Sequence, residues 1–164
     1  MSKNEGKGIY YVKRQNDVSW SDITVLFDGV KVLSLEGVNE KGEAVNVYTA
    51  QWVNSQTEDF QIAGNSIIRK NVDIRLTFMV SKRYSDTANF DTRAAHDAFI
   101  AYMVNGGRLS LKTTYMNKVA DVVCLKGYAP TTEHIRRSAY GDTDESYIIG
   151  TIEYHTLSGI GNPT

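Results

Sequence analysis

Hydrophobic and polar residues alternate most strictly between positions 72 and 81. Val72, Ile74, Leu76, Phe78 and Val80 fall on one side, while Asp73, Arg75, Thr77, Met79 and Ser81 fall on the other. A period of two predicts a strand with one face buried. Further along, the period changes. Ala95, Phe99 and Met103 recur at i, i+4 and i+8, Ile100 and Val104 broaden that face, and Arg93 and Asp97 lie away from it. This spacing predicts a helix, with Asp91 or Thr92 as its N-cap and the "NGG" of Asn105–Gly107 supplying the left-handed residue that ends it. Such a helix has about four turns at most. It is too short to hold itself together and must lie on a sheet.

The rest of the chain reads as strands and loops. From Ile23, "ITVLFDGVKVLSLEGV" has strand-like runs on either side of Asp28-Gly29, a pair that predicts a hairpin because both turn positions favour positive φ. A second turn is predicted over Asn39–Ala44, a strand in "AVNVYTAQWV", and a long polar loop over Asn54–Asn65 with Phe60 and Ile62 embedded. After the helix come "RLSLKTTY", a turn around Met116-Asn117-Lys118, and "VADVVCLKGY", which Ala129-Pro130 stops. A second long loop, Thr131–Ser146, precedes the closing strand "YIIGTIEYHTL". Three regions follow: a flexible arm over 1–22, a β domain over 23–157, and a flexible tail over 158–164. Strands, one helix, then strands predict a mainly β (α+β) fold: an antiparallel β-sandwich or barrel with one short flanking helix.

Composition narrows the function classes. A chain of 164 residues, 41% hydrophobic and 23% charged, suits one globular domain with a real core. Ten tyrosines against 5 phenylalanines tilt it toward strands and half-exposed surfaces. A net charge of −1 gives no global argument for nucleic acid or an anionic membrane as partner. The single cysteine, Cys124, cannot form an internal disulfide. The polar start lacks the apolar core of a secretory signal, and no run approaches the ~20 apolar residues of a membrane span. The expectation is a soluble protein made in the cytoplasm.

The expected chemistry is sparse. His96, His134 and His155 are isolated from any second histidine or cysteine at metal-ligand spacing. His96 is read on the polar side of the helix as a solvated residue, and His155 as a hydrogen-bonded strand residue. Cys124, within "VVCLK", reads as a small buried hydrophobe rather than a nucleophile. "GDTDES" (Gly141–Ser146) lacks the spacing and terminal glutamate of a calcium loop. Gly106-Gly107 ends a helix and is followed by no Lys-Ser/Thr, so it is not a phosphate loop. "HIRR" reads as a solvated or interface patch, and no serine has a nucleophile-elbow context. The reading is therefore no enzyme, no cofactor and no metal.

The order of features resembles the tail-tube and distal-tail family of long-tailed bacteriophages. An early "F-x-G" hairpin appears as Phe27-Asp28-Gly29, and a polar loop then leads to the alternating strand in "RKNVDIRLTFMV". The helix–glycine–strand step spans Met103 to Leu111, and "YIIGTIEYHTL" matches the closing strand. The likeness covers Ile23 to Leu157 and is a pattern of elements, without a catalytic signature. Full-length distal-tail proteins usually carry a second, carbohydrate-binding-like domain that 164 residues do not accommodate.

The resemblance implies a virion tail protein that assembles with itself into rings, typically hexameric, around a channel through which DNA passes without sequence-specific binding. Its other partners would be tail or baseplate proteins, and it would have no membrane role. Tail tube, distal-tail or baseplate ring, terminator, and tube of a contractile injection system all remain open. The long loops supply candidate subunit contacts: Glu58, Asp59, Phe60 and Ile62 in the first, Arg136, Arg137 and Tyr140 in the second. Each loop reads equally as an assembly arm or as ordinary surface. The competing class is a monomeric or dimeric ligand-binding β module whose cleft would draw on Tyr10, Tyr11, Trp20 and Trp52.

Overall fold

The computed structural model describes residues 7–38, 47–51, 58–62, 73–114 and 118–161. In chain order the elements are β1 (Tyr10–Arg14), β2 (Ser21–Asp22), α1 (Ile23–Leu26), β3 (Val30–Glu36), β4 (Val47–Gln51), β5 (Glu58–Ile62) and β6 (Asp73–Ser81). There follow α2 (Thr92–Met103), β7 (Leu109–Thr113), β8 (Lys118–Val123), β9 (Thr132–His134), β10 (Arg137–Ser138), β11 (Gly141–Asp142) and β12 (Tyr147–Gly161). An eight-stranded sheet runs β2-β1-β7-β8-β12-β6-β3, with β9 also paired to β12. All its pairings are antiparallel. The fold is therefore mainly β, of the α+β kind, with α2 as the one substantial helix among the described residues.

The alternation that predicted β6 is realised. Ile74, Leu76, Phe78 and Val80 are buried, and β6 pairs with β12 from Tyr147↔Ser81 to His155↔Asp73. The inward residues of β1, β3, β6, β7, β8 and β12 join one cluster with Phe99 and Met103 of α2. A flat sheet of seven strands would be roughly 29 Å wide, far more than a helix about 10–12 Å across can cover. The sheet therefore curls about a common core. The α1 turn helps to plug the gap, because it touches both β1 and β3 from opposite sides of the strand order.

Asp91 caps α2, its Oδ1 accepting from the N–H groups of Arg93 and Ala94, each at 3.1 Å. The buried stripe is Thr92, His96, Phe99 and Met103, a spacing of i, i+4, i+7 and i+11 that marks one helix face. The Phe99 ring centroid lies 4.6 Å from that of Phe78 and 5.0 Å from that of Phe27, edge-on to the latter. Gly107, at φ 79°, supplies the left-handed residue after the helix.

Several expectations are corrected. Residues 10–14 and 21–22 belong to the sheet and not to an arm, because Val12 enters the core and β1 pairs with β7 along its whole length. Ile23–Leu26 is a helical turn instead of a strand; the Asp22 carboxylate caps it by accepting from Thr24 N–H at 3.0 Å. Phe27-Asp28-Gly29 is a turn but joins no hairpin, since β3 pairs with β6 and not with the run before it. Gly29 has φ +80°, and a Cβ there would fall 2.3 Å from the Phe90 ring. Glu58–Ile62 is a strand inside the expected first loop, and β9, β10 and β11 occupy the expected second one. The closing strand runs on to Gly161, where Ile160 and Gly161 pair with Ala120 and Val119 past a bulge, so the tail expected from residue 158 is sheet there. The predicted turn over 39–44, Met116-Asn117, Trp52 and the remainder of the first loop lie outside the described residues.

Candidate interaction surfaces

Strands β3 and β6 are hydrogen-bonded neighbours, yet the chain between them runs from Gly37 to Val72. Within that excursion β4 and β5 form a two-stranded sheet of their own, from Val47↔Ile62 to Gln51↔Glu58. Four of the expected contact residues, Glu58, Asp59, Phe60 and Ile62, therefore stand on a hairpin strand. The period of two places positions 60 and 62 on one side of that ladder. At the end of the main sheet, β3 pairs with β6 alone among the described residues, and Leu33 beside its bulge is 44% exposed.

The other three expected contact residues separate. The β10–β11 ladder pairs Arg137 with Asp142 and Ser138 with Gly141. Asp142 is buried, its Oδ2 accepts from Thr92 N–H at 2.7 Å, and its Oδ1 lies 3.1 Å from Arg137 Nε. Arg137 also reaches Asp91 at 3.4 Å. Its guanidinium thus pins the loop to the start of α2, an internal role that the sequence reading missed. Arg136 pairs with Glu145 at 2.6 Å and keeps 63% of its side-chain surface exposed. Tyr140, at the turn of this ladder, is 80% exposed and presents a ring to solvent. The loop that resembled a cation site is the same loop, with its buried carboxylate engaged by an N–H group and a guanidinium.

His96 is a further correction. It is buried at 6% exposure, although the sequence reading placed it on the polar side of the helix. Its Nδ1 lies 3.1 Å from Asp97 Oδ1, a carboxylate oxygen that accepts, so Nδ1 carries the proton. Nε2 then accepts from the Tyr128 hydroxyl at 2.7 Å. Burial, followed by the charges of Glu133 and Asp97, pushes the Tyr128 phenol well above its ordinary value. A Cβ at Gly150 would lie 2.3 Å from that hydroxyl, so the glycine makes room for the ring. The imidazole and phenol both stack near Phe78, which makes this a packed polar seam.

The outer face of β6 and β12 carries an ionic cluster. Lys126 Nζ donates to Asp73 at 2.8 Å and to Glu153 at 2.9 Å, and His155 Nδ1 is 3.6 Å from Asp73. The hydrogen bond from Lys126 is the main reason that Asp73 is held below the usual carboxylate range. Cys124 is half-buried, donates to the Lys126 carbonyl at 3.3 Å, and has its thiol pushed up by burial. Among the described residues no group of three or more His, Cys, Asp and Glu is placed to hold a metal ion, and no helix is long and apolar enough to cross a membrane.

Of the aromatics expected to line a cleft, Tyr10 packs against the core, whereas Tyr11 and Trp20 lie half-buried on the outer side of the sheet with lysine ammonium groups over their rings. No protein-family model and no curated protein matches the chain.

Proposed function

We propose that the protein is a structural subunit of a bacteriophage or prophage tail. It assembles with itself into rings, hexameric in the simplest case, that form the tail tube or the distal-tail ring of the baseplate around a DNA channel. The observation that carries this reading is the β4–β5 hairpin, set between neighbouring strands β3 and β6 yet paired outside the main sheet. A monomer has no need of so long a detour between adjacent strands. An assembling subunit does, because a hairpin off the sheet can be covered by a neighbour.

Three further features support it: the curled antiparallel sheet, its one flanking helix, and the order of elements that resembles the tail family. In this reading the other partners are tail or baseplate proteins, the virion tail is its place, and its work is mechanical. Native mass spectrometry and electron microscopy at high protein concentration test the proposal. Closed rings are expected. A monomer that persists across concentration and salt would overturn it.

A further inference from the structure

We propose that the outer face of β1 and β7, with the groove at its end, binds single-stranded nucleic acid. This inference does not depend on the tail reading. The register Tyr11↔Lys112 and Lys13↔Ser110 alternates with the buried pair Val12↔Leu111, so Tyr11, Lys13, Ser110 and Lys112 share the outward face. Lys112 Nζ stands 4.8 Å from the Trp20 ring and 4.9 Å from the Tyr11 ring, and Lys13 Nζ stands 5.5 Å from Trp20. At the end of β1, Lys13, Arg14 and Arg108 line a cavity of about 320 Å³ together with Ser110 and Asp121. A second cavity, of about 440 Å³, shares Arg14 and Arg108 and is also lined by Asp17. The Arg14 guanidinium is stacked 3.9 Å from the Tyr102 ring centroid, which fixes its position.

None of the ion pairs among the described residues involves Lys13, Arg14, Arg108 or Lys112. Three carboxylates stand beside these cations: Asp17 accepts from Arg14 N–H at 3.0 Å, Asp22 from Gly8 N–H at 2.7 Å, and Asp121 from Ser110 Oγ at 2.5 Å. The contrast lies on the outer face of β6 and β12, where Arg75 and Lys126 each have a carboxylate partner. Aromatic faces hold a cation in place without cancelling its charge. Four cations against the three carboxylates Asp17, Asp22 and Asp121 leave the strip weakly positive, on a chain whose net charge is −1.

A phosphodiester chain matches this strip. Its phosphates would meet the lysines and arginines and draw Lys13 or Lys112 off the ring it covers, and a base would then lie against Trp20 or Tyr11, as on the stacking platforms of single-strand binders. A duplex offers the phosphates but keeps its bases stacked on one another, so it would leave the rings unused.

The test uses the full chain with Trp52→Phe, which leaves Trp20 as the lone tryptophan reporter, titrated with a 20-nucleotide oligothymidylate. Binding at 50 mM salt is expected with a change in Trp20 fluorescence. Four phosphate contacts predict about a 50-fold loss of affinity between 50 and 200 mM salt. The double variant Arg108→Glu, Lys112→Glu should weaken binding at least tenfold with an unchanged melting temperature; Arg108→Gln, Lys112→Gln serves if the charge reversal unfolds the chain. Trp20→Ala, read by anisotropy of a labelled oligonucleotide, should cost about tenfold. The proposal is overturned by no binding at 50 mM salt or by variants that bind as well as the parent. Polyglutamate competing as well as the oligonucleotide would overturn it too, since the surface would then suit an acidic protein. A duplex that binds more tightly than the single strand would also overturn it.

Discussion

The buried Tyr154 hydroxyl donates to the Met103 carbonyl at 2.8 Å, tying the closing strand to the last turn of α2. That carbonyl lies at a helix end, where no intrahelical N–H is available to it. Tyr154→Phe should therefore cost about 1–2 kcal/mol in urea unfolding, because a buried acceptor is left unpaired. Burial also holds the Tyr154 phenol well above its ordinary value of 10.0. A group whose folded value is raised contributes stability below its unfolded value and loses it as pH rises beyond. The melting temperature should fall above about pH 10, and less steeply in Tyr154→Phe than in the parent. Equal slopes would remove Tyr154 from the alkaline transition.

Phe99 has no exposed surface and lies between Phe78 and Phe27. Phe99→Ala should cost ~3–5 kcal/mol, the range for emptying an aromatic site in a packed core. A loss below ~1 kcal/mol in urea unfolding would mean that the surrounding rings collapse into the space.

Asp142 joins the β10–β11 ladder to the first turn of α2 through Thr92 N–H and Arg137. Asp142→Ala should cost about 1–2 kcal/mol, as the loss of a helix-capping acceptor does. It should also speed hydrogen exchange at Thr92 N–H. Unchanged exchange there would show that another acceptor takes over the cap.

The ring proposal gives β5 a specific duty. The double variant Phe60→Ser, Ile62→Ser should abolish rings or tubes while leaving the monomer's thermal unfolding nearly unchanged. Loss of the monomer fold, or intact assembly, would refute the hairpin as the contact.

Periodicity carried the centre of this fold. The strict alternation over 73–80 and the stripe of Phe99 and Met103 are local patterns, and local patterns are legible because a strand or helix face must match one buried side. His96 was within reach of the same logic. It stands at i+4 from Thr92 and three before Phe99, but a polar side chain on that stripe is read as surface unless its partner is known. That partner, Tyr128, comes from a different part of the chain and meets His96 only when α2 lies across the sheet.

Pairing was decided at longer range. The Ile23–Leu26 run has strand-like residues, yet Asp22 caps it and Ile23 is needed in the core, so it turns as a helix. The residues after Gly29 pair with β6, whose apolar face is already directed at the same core. In the same way, Arg14 from β1 and Arg108, the residue before β7, share a groove only because those two strands are sheet neighbours. Side-chain alternation depends on immediate neighbours along the chain. Strand order, polar partnership and the shape of a charged surface depend on which distant segments lower the free energy by covering one another, and only the folded arrangement supplies that.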